Sequence, residues 1–317
     1  MLHVAILDDY QRVALAVADW SGLEGRAELT VFDRPLGDED AVAAALVEFE
    51  VVVAMRERTP FPGSLLERLP RLRLLVTTGA RNKAIDVAAA ERQGVTVCGT
   101  GSQATSTVEL TWALILGRSR HLVDEAGNMA TGGWQTTLGT GLAGRTLGVI
   151  GLGRIGSAVA AVGSAFGMRV LAWSQNLTAE RATAAGAELV DLEELLSGSD
   201  VVTIHQVLSD RTRNLVGRPE LARMKSTALL VNTSRGPIVR TDDLVAAVRD
   251  GVIGGAAVDV YDEEPLPADH PLRSTPGILA TPHLGYVTRD GYELFYTDAV
   301  EDVLGFLDGT PVRQVPG

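Results

Sequence analysis

The stretch RTLGVIGLGRIGSAVAAVGSAFGMRVLAWS, residues 145–174, decides the fold. It opens with an apolar run, 147–150, that suits a buried parallel strand. Gly151, Gly153 and Gly156 follow in G-x-G-x-x-G order, 155–166 reads as a helix stopped at Gly167, and 170–173 reads as the next strand. Each glycine has a mechanical purpose: Gly151 permits the tight turn, Gly153 lets the backbone approach a pyrophosphate, and Gly156 lets helix and strand pack closely. Phosphates placed there meet the unpaired N–H groups and the positive end of the helix dipole. Glycine-rich turns occur in proteins that bind no nucleotide, so the weight rests on the flanking strand, helix and strand, which make this a dinucleotide-binding unit.

Outward from this unit the alternation continues. Downstream, 189–190, 201–205, 229–232, 256–260 and 278–280 read as strands. Helices are predicted at 192–196 (capped by Asp191), at 219–225 and at 242–249 (capped by Thr241). Upstream, 106–130 reads as one long helix, with Ser106 and Glu109 as a capping box, and 132–142 as a glycine- and threonine-rich connector. Residues 1 to about 100 also alternate strands (4–7, 29–32, 51–55, 72–76, 95–98) with helices (38–48, 62–68, 85–92), but without a glycine fingerprint. This half is therefore a second α/β domain built for something other than the dinucleotide. A long closing helix, 288–307, is expected to carry the chain back to it.

Composition narrows the classes. At 317 residues the chain is comfortable for two domains, and 46% hydrophobic with 21% charged residues describes an ordinary globular protein. A formal net charge of −12 argues against nucleic acid or an anionic membrane as partner, though not against a small anionic substrate that feels local arginines. The single cysteine, Cys98, excludes an intramolecular disulfide framework and a multi-cysteine zinc site, and no metal site is expected. The N-terminus lacks the pattern of a signal peptide, and no stretch approaches the ~20 apolar residues of a membrane span, so the expected location is the cytoplasm.

The chemistry is placed at three strand ends. Arg235 follows the strand in NTSRGPIV, Glu264 follows in DVYDEEP, and His283 follows in TPHLG. In a doubly wound sheet all three fall on the carboxyl edge, where ligands bind. A histidine can hand a proton to a carbonyl oxygen, or take it from a hydroxyl, as hydride moves at the carbon. A glutamate on its other ring nitrogen fixes the tautomer, and an arginine fork grips a carboxylate and polarises the adjacent carbonyl. Each residue alone has a plainer reading, as turn residue, solvated acid or helix cap; their joint placement favours a 2-keto-acid site. On the same logic Arg56 and the segment TTGARNK, 77–83, fall at carboxyl ends of strands in the first domain.

GLGRIG, HQVLSD, VNTSRGPIV, GAAVDVYDEEP and TPHLG, in that order, resemble the D-isomer-specific 2-hydroxyacid dehydrogenase family over nearly the whole chain, and VELTWALIL resembles its interdomain helix. The resemblance implies two Rossmann-like, doubly wound parallel-sheet domains: a discontinuous substrate domain, 1–101 with 285–317, and a dinucleotide-binding domain, 102–284. It also implies a homodimer formed largely through the cofactor domains. In the same terms His283 is the acid/base, Glu264 its partner and Arg235 the substrate-carboxylate anchor. Asp259 is matched to the nicotinamide carboxamide, Thr233 to a loop beside the cofactor, Arg154 and Ile155 to the pyrophosphate, and His205 to a packing position on the adenosine side.

Three departures qualify this pattern. Where the family carries its NAD-selecting acid, this chain has Ser174, followed by Gln175 and Asn176, which leaves NAD or NADP open with a lean to NADP. The glycine-rich substrate loop is TTGARNKAID, in which the N–H groups of Thr78, Gly79 and Ala80 could hold a carboxylate. Arg81, Asn82 and Lys83 there point to a second polar or anionic group on the substrate, with surface salt bridges as the competing reading. The proline expected after the strand-end histidine is Val207. The sequence therefore implies an NAD(P)-dependent oxidoreductase acting on a small D-2-hydroxy acid or 2-keto acid, of the glyoxylate or hydroxypyruvate reductase kind. The alternatives are a phosphoglycerate dehydrogenase-like enzyme and a dinucleotide-sensing, corepressor-like binding protein.

Overall fold

The computed structural model describes residues 1–317. The chain begins with β1 (Leu2–Ile6), β2 (Ala27–Val31), α1 (Glu39–Leu46), β3 (Val51–Ala54), α2 (Gly63–Leu66), β4 (Leu74–Thr77), α3 (Val87–Arg92) and β5 (Thr96–Gly99). These strands form one all-parallel sheet in the order β2-β1-β3-β4-β5. Its central strands β3 and β4 are buried along their whole length, which is why they read as continuous Val/Leu runs rather than alternating ones. Asp38 and Asp86 start α1 and α3 by accepting from Ala41 and Ala89 N–H.

The second sheet follows α4 (Thr105–Ser119) and α5 (Leu122–Ala130). It is built from β6 (Thr146–Ile150), α6 (Arg154–Ala165), β7 (Arg169–Trp173), α7 (Ala179–Ala184), β8 (Glu188–Leu189), α8 (Leu192–Gly198) and β9 (Val201–Ile204). It continues through α9 (Arg218–Leu221), β10 (Leu229–Asn232), α10 (Thr241–Arg249), β11 (Gly255–Val258) and β12 (Ile278–Ala280). All seven strands are parallel, ordered β12-β11-β10-β9-β6-β7-β8, so the order reverses between β6 and β9. Two apolar clusters cover the faces, one centred on Val149, Val231, Ala257 and Trp112, the other on Ile150, Val202, Leu230 and Leu244.

The last helix, α11 (Arg289–Leu307), belongs to the first sheet. The chain thus divides into one unit of Met1–Gln103 with Thr288–Gly317 and another of Ala104–Val287. These limits lie a few residues beyond those read from the sequence. The two doubly wound parallel sheets match the expected fold class.

Three local expectations fail. The helix read over 106–130 is two helices, because His121 adopts a left-handed φ of 51°. Thr140 N–H in the connector takes the carbonyl of Ser119, an acceptor the next helical turn would have needed. Ser106 is not a cap; the N-cap is Ala104, without a side-chain bond, and Ser106 is buried inside α4. Likewise Thr241 does not cap α10. Its hydroxyl donates to Asp262 Oδ2 at 2.8 Å, and Arg240 occupies the cap position.

Candidate functional site

The three fingerprint glycines are not equivalent. Gly151 has φ +100°, and a Cβ there would lie 2.5 Å from the His205 carbonyl oxygen on the neighbouring turn. A Cβ on Gly156 would lie 2.0 Å from the carbonyl oxygen of Gly151, so helix α6 can approach β6 only as glycine. Around Gly153 nothing stands within 4 Å. Gly153 is the N-cap of α6 and provides no side-chain cap for the helix's first N–H groups. Arg154 is exposed in that first turn and Ile155 half-buried. This cradle fits a pyrophosphate.

Ser174 follows β7 directly and is half-buried, with Gln175 and Asn176 exposed beyond it. His205, after β9, shares a 3.0 Å hydrogen bond between Nε2 and Thr203 Oγ. Desolvation pushes its pKa down to about 4, so the ring is neutral at physiological pH.

The sequence-read candidates Arg235, Glu264 and His283 follow β10, β11 and β12 on one edge of the sheet, and the last two meet. His283, in the left-handed region at φ 54°, sets Nδ1 2.5 Å from Glu264 Oε2. Glu264 is itself held, its Oε1 accepting the Tyr261 N–H at 2.9 Å. With Nδ1 committed to the carboxylate, Nε2 is the nitrogen left for proton exchange. The Tyr286 ring packs against the imidazole in a T-shaped arrangement, with centroids 5.2 Å apart. Arg235 Nη1 donates to the Ser234 carbonyl at 2.7 Å, which sets the direction of the guanidinium.

Asp259, matched to a cofactor contact, is fully buried. Its Oδ1 accepts from Thr281 Oγ and Leu284 N–H, both at 2.7 Å, and its Oδ2 accepts from Gly285 N–H at 2.9 Å. Burial raises its pKa against these donors. The carboxylate thus clamps the turn that carries His283. Thr233 is also buried, its hydroxyl 2.9 Å from that of Thr111 on α4.

In the other unit the expected carboxylate cradle is largely spent. Thr78 N–H donates to the Ala54 carbonyl at 3.0 Å, and Gly79 N–H to Thr100 Oγ at 2.7 Å. Of the three proposed donors, Ala80 is the one at the surface. Arg56, with φ 53°, lays its guanidinium over Gly79, where a Cβ would meet Nη1 at 1.8 Å, and donates to Thr78 O at 3.3 Å. Asn82 is buried, and donates to Arg56 O at 2.6 Å and Thr77 Oγ at 2.9 Å. It staples the loop rather than facing a ligand, which leaves Arg81 and Lys83 exposed.

Several residues that shape this region escaped the sequence reading. Asn232 donates to Arg235 O and accepts from Ser234 N–H, both at 3.0 Å, so the turn after β10 is tied by the last residue of its own strand. Tyr261 donates its hydroxyl to Thr281 O at 2.7 Å. A polar residue closing an apolar strand was the one available signal for Asn232; nothing local marked Tyr261. Cys98 is buried, with its thiol pushed up to about 12 by desolvation, and is inert. No cluster of three or more His, Cys, Asp or Glu side chains is arranged for a metal, and no helix is long and apolar enough to cross a membrane.

Comparison with known proteins agrees with this architecture. The profile described as D-isomer specific 2-hydroxyacid dehydrogenase, NAD binding domain, matches residues 112–285. A glyoxylate reductase of Aeropyrum pernix is 42% identical over 255 residues, covering 77% of this chain and 76% of that protein. A hydroxypyruvate reductase of Blautia hydrogenotrophica is 31% identical over 326 residues, covering 99% of each. The crystal structure of a phosphoglycerate oxidoreductase from Vibrio cholerae superposes with a TM-score of 0.92 at 39% identity, covering 98% of this chain and 100% of that one. The chain belongs to the D-isomer specific 2-hydroxyacid dehydrogenase family.

Proposed function

We propose that this protein is an NAD(P)-dependent reductase of small 2-keto acids, of the glyoxylate or hydroxypyruvate kind, and that residues 104–287 form its cofactor domain. The observation that carries the reading is the 2.5 Å His283–Glu264 pair, held on the same sheet edge as Arg235 and the glycine cradle. A nicotinamide cofactor, when bound, supplies the hydride that reduces the carbonyl carbon. His283 Nε2 gives the proton to the carbonyl oxygen, and Glu264 stabilises the imidazolium before and orients the neutral ring after the transfer. Arg235 grips the substrate carboxylate and draws charge from the adjacent carbonyl. In the first unit, Ala80 N–H and the basic side chains of Arg56, Arg81 and Lys83 are assigned to recognition of the acid's anionic and distal groups.

Three finer assignments follow. The absence of a carboxylate at Ser174–Asn176 removes both the grip on a ribose diol and the repulsion of a 2′-phosphate, which favours NADPH. A homodimer is supported by α5 and the connector, which display Trp134 at 71% and Leu138 at 93% exposure beside exposed Leu122 and Met129. Glu125 pins that connector by accepting from the N–H and hydroxyl groups of Thr136 and Thr137, and these bonds hold its pKa down to about 2. A cytoplasmic setting agrees with the lone reduced cysteine.

The direct test is oxidation of NADPH and NADH, side by side, with glyoxylate, hydroxypyruvate, pyruvate, phenylpyruvate and oxaloacetate. Turnover with NADPH preferred is expected. Preference for NADH would overturn the cofactor assignment alone, whereas cofactor binding with no turnover would favour a sensing protein.

A further inference from the structure

Three turns must hold fixed positions for the proposed chemistry: the one after β10 with Arg235, the one after β11 with Glu264, and the one after β12 with His283. Glu264 itself ties the second to the third. What ties the third to the first lies on α4. Thr107 donates its hydroxyl to the Gly285 carbonyl at 2.9 Å, two residues past His283. One turn on, the Thr111 hydroxyl donates to Thr107 O at 2.7 Å and lies 2.9 Å from Thr233 Oγ, two residues before Arg235. Thr111 has one hydroxyl proton and spends it on Thr107 O, so Thr233 is the donor in the Thr233–Thr111 bond.

A second observation points the same way. A Cβ at Gly285 would stand 3.3 Å from Asp259 Oδ2 and 3.4 Å from Thr107 Oγ, so this residue is gripped between them. Its N–H goes to Asp259 and its C=O to Thr107. Gly285, two residues past His283, is thus held on one side by Asp259 and on the other by Thr107 of α4.

Resting on the functional reading above, we propose that Thr107 and Thr111 are positioning residues. Their hydroxyls, four residues apart on one face of α4, fix the His283 turn relative to the Arg235 turn, and so set the angle at which acid and carboxylate anchor meet the substrate. Neither residue touches the reacting atoms. Angular errors of this kind affect the chemical step more than binding.

The test compares Thr107→Val, which keeps the shape and removes the hydroxyl, with Thr107→Ser, which keeps the hydroxyl. Thr107→Val is expected to lower kcat about tenfold, the scale of one lost hydrogen bond, with cofactor KM unchanged. Its primary isotope effect with 4-deuterated nicotinamide should rise, and Thr107→Ser should restore wild-type values. Adding Thr111→Val should cost less than its separate effect, because both act through one chain of bonds. Amide exchange at Leu284 and Gly285, followed by NMR on the protein without substrate, should accelerate in Thr107→Val and not in Thr107→Ser. Wild-type kcat and wild-type exchange in Thr107→Val would overturn the proposal. If the wild-type protein turned over no keto acid, the functional reading would fall, and amide exchange alone would decide whether the clamp exists.

Discussion

The carboxyl edges of the two sheets are built on opposite plans. On the second sheet the turns that carry Arg235, Glu264 and His283 are tied by short hydrogen bonds: Asp259 to Leu284 and Gly285 from the neighbouring strand's end, and Tyr261 to Glu264 and Asn232 to Arg235 within their own segments. On the first sheet the N–H groups of Thr78, Gly79 and Ala84 are taken by Ala54, Thr100 and Asn82, and what the loop presents outward are long side chains, Arg81 and Lys83, at the surface. A general acid must stand within a narrow range of distance and angle, and short, over-determined turns provide that. A charge that recognises an anion tolerates a flexible stem. On the proposed function, the difference places proton transfer and the carboxylate anchor on short, tied turns, and leaves the substrate's distal groups to long side chains on the other edge.

If so, the rigid edge should show the largest losses. His283→Ala is expected to lower kcat by about 10²–10⁴-fold while leaving the cofactor Kd unchanged in a fluorescence titration. Glu264→Gln should follow with a loss of about 10²-fold, since an amide accepts either tautomer without stabilising the imidazolium. Retention of turnover in His283→Ala would remove the acid/base assignment.

Glycine variants sharpen the comparison. Gly156→Ala places a methyl against the backbone of Gly151, which cannot yield without separating α6 from β6. It should destabilise by about 1–3 kcal/mol and raise the cofactor Kd by more than about tenfold. Gly79→Ala meets the end of the Arg56 side chain, which can swing away, although φ +93° adds strain. Its expected signature is a higher substrate KM with cofactor binding intact. Loss of cofactor binding in Gly79→Ala would break the division of labour. Smaller again, Arg81→Ala should raise KM for a keto acid with a second anionic group by about three- to tenfold and leave glyoxylate nearly unaffected.

The rigid edge was also the more legible one. The apolar runs, the glycine fingerprint and the strand-end Arg235, Glu264 and His283 are local signals, each carried within a few residues. What the sequence hid is non-local. The acceptors that consume Thr78 and Gly79 N–H, Ala54 O and Thr100 Oγ, lie on other strands' ends, so the loop looked more open than it is. The apolar pattern runs on past residue 121, and only the left-handed His121 and a connector N–H from Thr140 end the helix. Thr107 and Thr111 read as ordinary helix residues until their partners on two other turns are known.

The first unit also contains a buried polar contact outside its loop, and it separates stability from catalysis. Asp302, on α11, is fully buried. It faces Arg313, whose Nε is 3.2 Å from Oδ1, with Asp298 and Glu301 of the same helix around the guanidinium and Cys98 on β5 nearby. Arg313 in turn offers its carbonyl to Gly99 N–H, so this contact holds the terminal segment on β5. Burial raises the Asp302 pKa to about 7, against the pull of Arg313 and with the help of Asp298 and Glu301. The folded chain therefore keeps a proton that the unfolded chain releases near 3.8. The stabilisation is complete below that lower value and is lost as pH rises towards 7. Asp302→Asn, which carries the uncharged form at every pH, should flatten the dependence of Tm on pH between 4 and 7. Above pH 7 it removes a buried carboxylate but leaves Arg313 to Asp298 and Glu301. The kcat of this variant at 25 °C should equal that of the wild type, the smallest effect of the series. A fall in kcat without a change in the pH profile of Tm would mean that the first unit's buried contacts also position the reacting groups, and that the contrast between the two edges is wrong.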